Sequence, residues 1–239
     1  MKLNKLSKYP IIQWFKEMIG VSQKKFEQSG ILGNDIDGVL LVHLTPSDTF
    51  FDVGANVGRI SSLVISTVKM TIAFEPNPIH AAQLRGRLLD NFIVIEEALS
   101  NKIERSQFFL DVRPGEGFLA SSLMILDDLH ESGMVEKIFV ETNTLDNYVT
   151  QSGNIPTFIK IDVEGYEPEV IEGAKETIRK FKPKILFEMW ETHFPRYEDF
   201  MIHLSKEYYL VRLESGEEAL TYYRRQKGTG VANILALPL

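Results

Sequence analysis

Cysteine is absent from the 239 residues, which removes disulfides, thiol nucleophiles and thiolate metal sites together. No stretch approaches the ~20 consecutive apolar residues of a membrane-spanning helix. Within Met1–Gly20, Gln13, Lys16 and Glu17 interrupt the apolar residues and no small-residue cleavage pattern follows. That segment therefore does not read as a leader, and a cytoplasmic location is expected. Positive charge is also scarce, with 26 Lys and Arg against 33 Asp and Glu for a net charge of −7. Nucleic acids and acidic membranes demand a basic footprint, so neither is an expected partner and a small or neutral substrate fits better. The G-x-G-x-x-G fingerprint of dinucleotide folds is missing too, which disfavours an NAD-dependent oxidoreductase. Oligomeric state is left open.

What is present is an ordinary globular mixture, 44% hydrophobic and 25% charged, with the length of one large α/β domain. The chain is organised around Thr49-Phe50-Phe51-Asp52-Val53-Gly54-Ala55-Asn56-Val57-Gly58. An apolar run ends in an acid, turns on two glycines and passes into the helical pattern of Arg59–Thr67, which is how an α/β domain builds a ligand site at its first strand. Gly54 lets backbone approach a ligand, Gly58 lets the next helix pack closely, and the helix start offers free N–H groups. Asp52 at the tip would repel a pyrophosphate but suits a ligand carrying an amine beside its carboxylate.

Before this loop, Leu3 to about Gln28 has an amphipathic helical pattern through Ile11, Trp14, Phe15, Met18 and Ile19. Residues 1–44 are therefore expected to form an N-terminal helical cap and lead-in segment, with Val39–Leu44 a short strand or a segment closing over the ligand. Residues 45–239 form the main domain. Thr71–Glu75 is expected as the second strand, followed by Pro76-Asn77-Pro78 and a helix through Leu89, and Phe92–Ile95 as the third, closed by Glu96, Glu97 and Ala98. An excursion over about 105–145 interrupts the alternation, with β-rich Gln107–Val112 and Lys137–Glu141 around a short helical pattern at Met124–His130. Phe158–Asp162 and Lys184–Glu188 are further core strands, separated by a helix from about Pro168 to Phe181. A helix near Glu198–Lys206, a strand at Tyr208–Leu213 and a last strand at Val231–Leu237 complete the chain, the final two strands antiparallel. Core strands thus end at Asp52, Glu75, Asp162 and Glu188, and the switch-point rule turns these tips toward one crevice. Glu75, about 20 residues past the glycine loop, stands where a doubly wound fold places its ribose acceptor.

These motifs resemble the class I S-adenosylmethionine-dependent methyltransferases, and within them the FkbM-type family. The resemblance rests on Phe51-Asp52-Val53-Gly54-Ala55-Asn56-Val57-Gly58, on Phe74-Glu75-Pro76-Asn77-Pro78, on Thr144-Leu145-Asp146, and above all on Ile159-Lys160-Ile161-Asp162-Val163-Glu164-Gly165-Tyr166-Glu167 with Val170-Ile171-Glu172-Gly173-Ala174 and Pro183-Lys184-Ile185-Leu186-Phe187-Glu188. It implies a Rossmann-like seven-stranded methyltransferase sheet, mostly parallel with an antiparallel final hairpin and helices on both faces. It also implies S-adenosyl-L-methionine as cofactor and O-methylation of a sugar or natural product. Asp52 and Gly54 would then line the methionine end, Glu75 would accept the ribose hydroxyls and Glu97 with Ala98 would border the adenine, with Asn56, Gly58 and Pro76 as further cofactor-binding residues.

Methyl transfer from a sulfonium is an in-line displacement governed by positioning, and an alcohol acceptor must also lose a proton, for which a base contributes ~10²–10⁴-fold. Asp162 and His193 are the candidate catalytic residues, although nothing in the sequence fixes the loop of His193. Asp162, Glu164 and Glu188 could contact substrate or hold a divalent cation such as Mg²⁺, since clustered carboxylates suit hard cations. Against this, Glu164 could cap the next helix and Glu188 could hold backbone amides, while Lys160 could neutralise the acidic rim. The alternatives are N- or C-methylation of another small metabolite, or a non-catalytic module that binds S-adenosylmethionine.

Overall fold

The computed structural model describes residues 36–87, 90–112, 121–124, 134–226 and 228–239. The helical patterns at Leu3–Gln28 and 125–130 lie outside these residues. In chain order the elements are α1 (Ile36–His43), β1 (Thr49–Val53), α2 (Arg59–Val64), β2 (Met70–Phe74), α3 (Pro78–Arg85), β3 (Phe92–Ile95), β4 (Ala98–Leu99), β5 (Glu104–Asp111) and β6 (Val135–Asn143). They continue with α4 (Leu145–Ser152), β7 (Phe158–Ile161), α5 (Glu167–Glu172), α6 (Lys175–Phe181), β8 (Lys184–Trp190), a 3₁₀ turn (Glu191–His193), α7 (Phe194–Leu204), β9 (Tyr208–Arg212), β10 (Glu217–Glu218), α8 (Ala219–Arg225) and β11 (Val231–Pro238). No described helix is long and apolar enough to cross a membrane.

The main sheet runs β10-β9-β11-β8-β7-β1-β2-β3. Strands β3, β2, β1, β7 and β8 are parallel, and β11 is antiparallel to both β8 and β9. The central strands carry near-continuous apolar runs because both faces are covered. Phe50 and Phe51 point to opposite faces: Phe50 packs with Phe158 and with Val39, Leu40, Ile60 and Val64 of α1 and α2, and Phe51 packs with Ile159, Phe187 and residues of α4 to α7. After β3 the chain returns to place β7 on the other side of β1, so the strand order reverses between β1 and β7. That is the switch point at which such sheets open a crevice. A separate sheet runs β4-β6-β5.

The main sheet has eight strands where seven are expected. The extra member is the two-residue edge strand β10, which pairs with β9 and is too short to leave a periodic pattern. Val39–Leu44, expected as a short strand or a segment closing over the ligand, lies largely in α1, whose buried Val39, Leu40 and His43 follow helical spacing. A short apolar run does not separate the two states by itself. α1 packs on the α2 side of the sheet and does not line the crevice. The helix expected over Pro168–Phe181 is two helices. It breaks at Gly173, where a Cβ would come within 2.0 Å of the Ser100 carbonyl oxygen, and α6 restarts with the Glu176 and Thr177 amides donating to the Asp146 carboxylate. Between β9 and β11 lies α8, which the sequence hid because its cap is Glu218, accepting from Leu220 and Thr221 amides, in place of the usual Ser, Thr, Asp or Asn.

Candidate active site

The loop after β1 is built by hydrogen bonds across the switch point. Gly54 has φ 74°, and its amide donates to the Phe74 carbonyl at 3.0 Å. A Cβ on Gly54 would lie 1.9 Å from the Asp162 carbonyl oxygen, so the tips of β1 and β7 touch through backbone, tied also by the Asp162 amide donating to Val53 O at 3.1 Å. Asn56, with φ 50°, turns its amide to the Glu75 Oε2 at 2.7 Å. The Asn77 amide donates to Glu75 Oε1 at 2.9 Å, while the Asn77 side chain caps α3. Each Glu75 oxygen therefore keeps a lone pair for another donor. Burial pushes the Glu75 carboxyl up to about 7, against the pull of those two amides and of Lys160.

Beneath the loop, Lys160 lies between two acids, its Nζ 3.3 Å from Asp52 Oδ1 and 3.3 Å from Asp162 Oδ2, and donates to Gly54 O at 3.0 Å. Burial works to lower the Lys160 pKa, but the Asp162 and Asp52 charges outweigh it and hold the ammonium form well above its ordinary range. Asp52 is fully buried and also accepts from the Ser61 hydroxyl at 2.6 Å.

The turn after β7 carries the acidic face of the site. Glu164 has φ 57°, and the turn is held from both sides. Glu167 takes the Val163 and Gly165 amides on one oxygen and the Tyr197 hydroxyl on the other. The Ser122 hydroxyl lies 3.0 and 3.1 Å from the Val163 and Glu164 carbonyls, and Arg196 donates to Gly165 O and pairs with Glu169. One oxygen each of Asp162, Glu164 and Glu188 lie within 4.8 Å of one another. Burial, with repulsion from Asp162 and Glu167, raises Glu164 to about 8. Burial, with Asp162 and Glu164, raises Glu188 to about 9. This trio is a donor set of the kind a divalent cation takes.

Gly54, Asn56, Glu75, Pro76, Glu97, Ala98, Asp162 and Glu164 line one cavity. Asp52 and Gly58 lie behind it, Asp52 on Lys160 and Gly58 against Leu84. Glu188 reaches the acidic trio from β8 without forming the cavity wall. His193 is likewise absent from the wall. It ends the turn after β8 with its ring 5.8 Å from Trp190, and Glu191 fixes that turn by accepting from Arg212, Tyr223 and the Gly230 amide. Sequence reasoning missed His80, Phe108, Ser121 and Tyr166 in the wall, and Glu167 as the anchor of the β7 turn. Of these, Phe108 lies in an alternating strand, and Tyr166 and Glu167 lie in the Ile159–Glu167 motif. The cavity suits an adenosyl ligand: Phe74, Pro76, Leu99 and Phe108 offer apolar surface beside Glu97 and Ala98, and the Glu75 lone pairs match a diol.

The model of the methyltransferase FkbM domain matches residues 52–225. A hexuronic acid methyltransferase, AglP, of Haloferax volcanii is 26% identical over 147 residues, covering 61% of this chain and 57% of that protein. A 2-O-methyltransferase, NoeI, of Sinorhizobium fredii is 29% identical over 147 residues, covering 56% of this chain and 60% of that protein. The chain thus spans less than two thirds of the length of both relatives. Among solved structures, a methyltransferase FkbM from Methylobacillus flagellatus matches in fold with a TM-score of 0.52 at 14% identity, over 89% of this chain and 58% of that one.

Proposed function

The chain belongs to the methyltransferase FkbM domain family, and on that footing we propose that it transfers a methyl group from S-adenosylmethionine to a hydroxyl of a small acceptor, a sugar first among them. The observation that carries this reading is one cavity lined by Glu75, Glu97 and Ala98 together with Asp162 and Glu164. The names of the two relatives support a sugar hydroxyl as acceptor, and the net charge of −7 supports a small molecule over a nucleic acid.

When bound, S-adenosylmethionine supplies an electrophilic methyl carbon: the acceptor oxygen forms the new C–O bond, the C–S electron pair stays on sulfur, and the hydroxyl proton leaves. The chain's part is to hold the ligands in line and take that proton. Glu75 receives the ribose hydroxyls, and the β1 loop, with Gly54 and Asn56, carries the methionine end. Asp162, with its side chain 36% exposed and Lys160 at its other side, is within reach of an acceptor and serves as the base. His193 is the second candidate for that role, from the turn held by Glu191.

The test is transfer of labelled methyl from S-adenosylmethionine by the purified chain to a panel of saccharides. Asp162→Ala should lose at least ~10²-fold in turnover while S-adenosylmethionine still binds. Turnover equal to wild type would remove Asp162 from the chemistry, and a comparable loss in His193→Ala alone would move the base there. The proximity of Asp162, Glu164 and Glu188 favours a second reading, in which the trio holds Mg²⁺ to lower the acceptor pKa. Activity abolished by a chelator and restored by magnesium supports it, and activity indifferent to both rejects it.

A further inference from the structure

We propose that Asn143, backed by Asn147 and Gln151, holds the Glu97 carboxylate for the exocyclic amine of the cofactor's adenine, so that the site tells a 6-aminopurine from a 6-oxopurine. The inference rests on the methyltransferase reading above. Asn143 acts through Glu97 and is a positioning residue, since Glu97 lines the cavity and Asn143 does not.

Glu97 shares the cavity wall with Ala98 and Leu99 of β4 and Phe108 of β5, an acceptor group beside apolar surface for a flat ring. β4 pairs with β6, Leu99 opposite Asn143, and the Ser100 amide donates to the Asn143 carbonyl at 2.8 Å. The small sheet thus fixes the Asn143 backbone close to Glu97, and the Asn143 side chain donates through Nδ2 to Glu97 Oε2 at 2.8 Å. The direction of that amide is set by its other end. Asn143 Oδ1 accepts from the Thr144 amide at 2.8 Å and from Asn147 Nδ2 at 2.9 Å, so a flip would set donors against donors. Asn147 Oδ1 accepts in turn from Gln151 Nε2 at 3.2 Å. Residues 143, 147 and 151 recur every four positions, the spacing of neighbours on one helix face, and their three amides donate in one direction that ends on Glu97. Hydrogen bonds chained head to tail polarise one another. Among the described residues no other bond engages Glu97, so its Oε1 is left for a ligand donor. Adenine presents an N–H donor at its six position, where a 6-oxopurine presents an acceptor oxygen. A carboxylate held in place pairs with the first and opposes the second, a polar mismatch of the kind that separates close analogues.

The test is calorimetric titration of the full chain with S-adenosylhomocysteine and with S-inosylhomocysteine, its 6-oxo analogue. Wild type should bind the adenine ligand about ten-fold tighter, the discrimination of one good base-edge contact. Asn143→Asp keeps the oxygen used by Thr144 and Asn147 but sets a second acid against Glu97 in place of the donor, and Asn143→Ala removes the side chain. Each should lower the preference at least about three-fold, and Glu97→Ala should abolish it. Adding Asn143→Ala to Glu97→Ala should then leave both affinities unchanged, which a loss through general loosening of the fold would not do. A wild-type preference near one overturns the proposal without recourse to any variant. So does a preference kept in the Asn143 variants, or an affinity that falls as far when Asn143→Ala is added to Glu97→Ala as it does in wild type. If wild type binds neither ligand nor S-adenosylmethionine, the methyltransferase reading itself falls.

Discussion

Lys160 shows how much one side chain can settle. It is buried between two carboxylates and also holds the carbonyl of the loop above, so removing it leaves Asp52 charged and fully buried. Lys160→Met should cost about 3–5 kcal/mol of unfolding free energy, read as a fall in denaturant midpoint at constant slope. Adding Asp52→Asn should recover part of the loss, because the orphaned charge is then gone. Glu75 gives a pH signature. Its folded pKa of about 7 lies above its ordinary 4.5, so the folded state holds the proton more tightly than the unfolded chain. That contribution to stability is complete below about pH 4.5 and disappears as pH rises through 7. The stability of wild type relative to Glu75→Gln should therefore decline across this window and level off above it, and a flat difference in urea unfolding from pH 4 to 8 would contradict the burial argument. The sequence made Glu75 legible because its place at a strand tip, after a glycine loop, is set by chain geometry. It could not show that Asp52 turns down to Lys160 instead of into the cavity, since that depends on β7, which pairs Asp52 with Lys160 from over a hundred positions away.

At the scale of elements, the β7 turn was legible as a motif but its internal division of labour was not. Val163-Glu164-Gly165-Tyr166-Glu167 contains two acids of like appearance; one faces the cavity and the other anchors the turn, and only the neighbouring α7 with Tyr197 tells them apart. Glu167→Gln keeps an oxygen for the two amides and can donate to the Tyr197 oxygen, so it should change stability by less than about 1 kcal/mol. Glu167→Ala removes the acceptor of the Val163 and Gly165 amides and of the Tyr197 hydroxyl proton and should cost roughly 3 kcal/mol or more. Comparing the two by thermal unfolding separates anchoring by hydrogen bonds from anchoring by charge. The break between α5 and α6 is set by the approach of Gly173 to Ser100, a contact between segments far apart in sequence. A methyl group there has no room, and Gly173→Ala should destabilise the protein by about 1–3 kcal/mol while displacing the neighbouring Ala98–Leu99 wall of the cavity. An unchanged melting temperature would show that the helices can separate freely from that strand.

For the whole molecule, the architecture was readable where helix and strand alternate with period and punctuation, which covers β1 to β3, β7 to β9 and β11. It was least readable where an element is short or capped unusually, as in β10 and α8, or where a run of Val and Leu serves a buried helix, as in α1. The family's sheet is recovered as strands β3-β2-β1-β7-β8-β11-β9 with β10 added at the edge.

The pairing of β1 with β7, Phe50 beside Phe158 and Val53 beside Ile161, has a consequence for biogenesis. Non-local parallel pairing is slow because a long loop must close before any contact repays it. During synthesis the amino-terminal strands emerge first and must wait, their β1 edge open and apolar, until β7 and β8 leave the ribosome. That interval is when the chain is most exposed to wrong partners. A nascent chain stalled after Ser152 should therefore be protease-sensitive and unable to retain S-adenosylmethionine, and one extended past Trp190 and clear of the exit tunnel should acquire protection. Protection already present at the shorter length would mean that the first three strands hold together without their central neighbour.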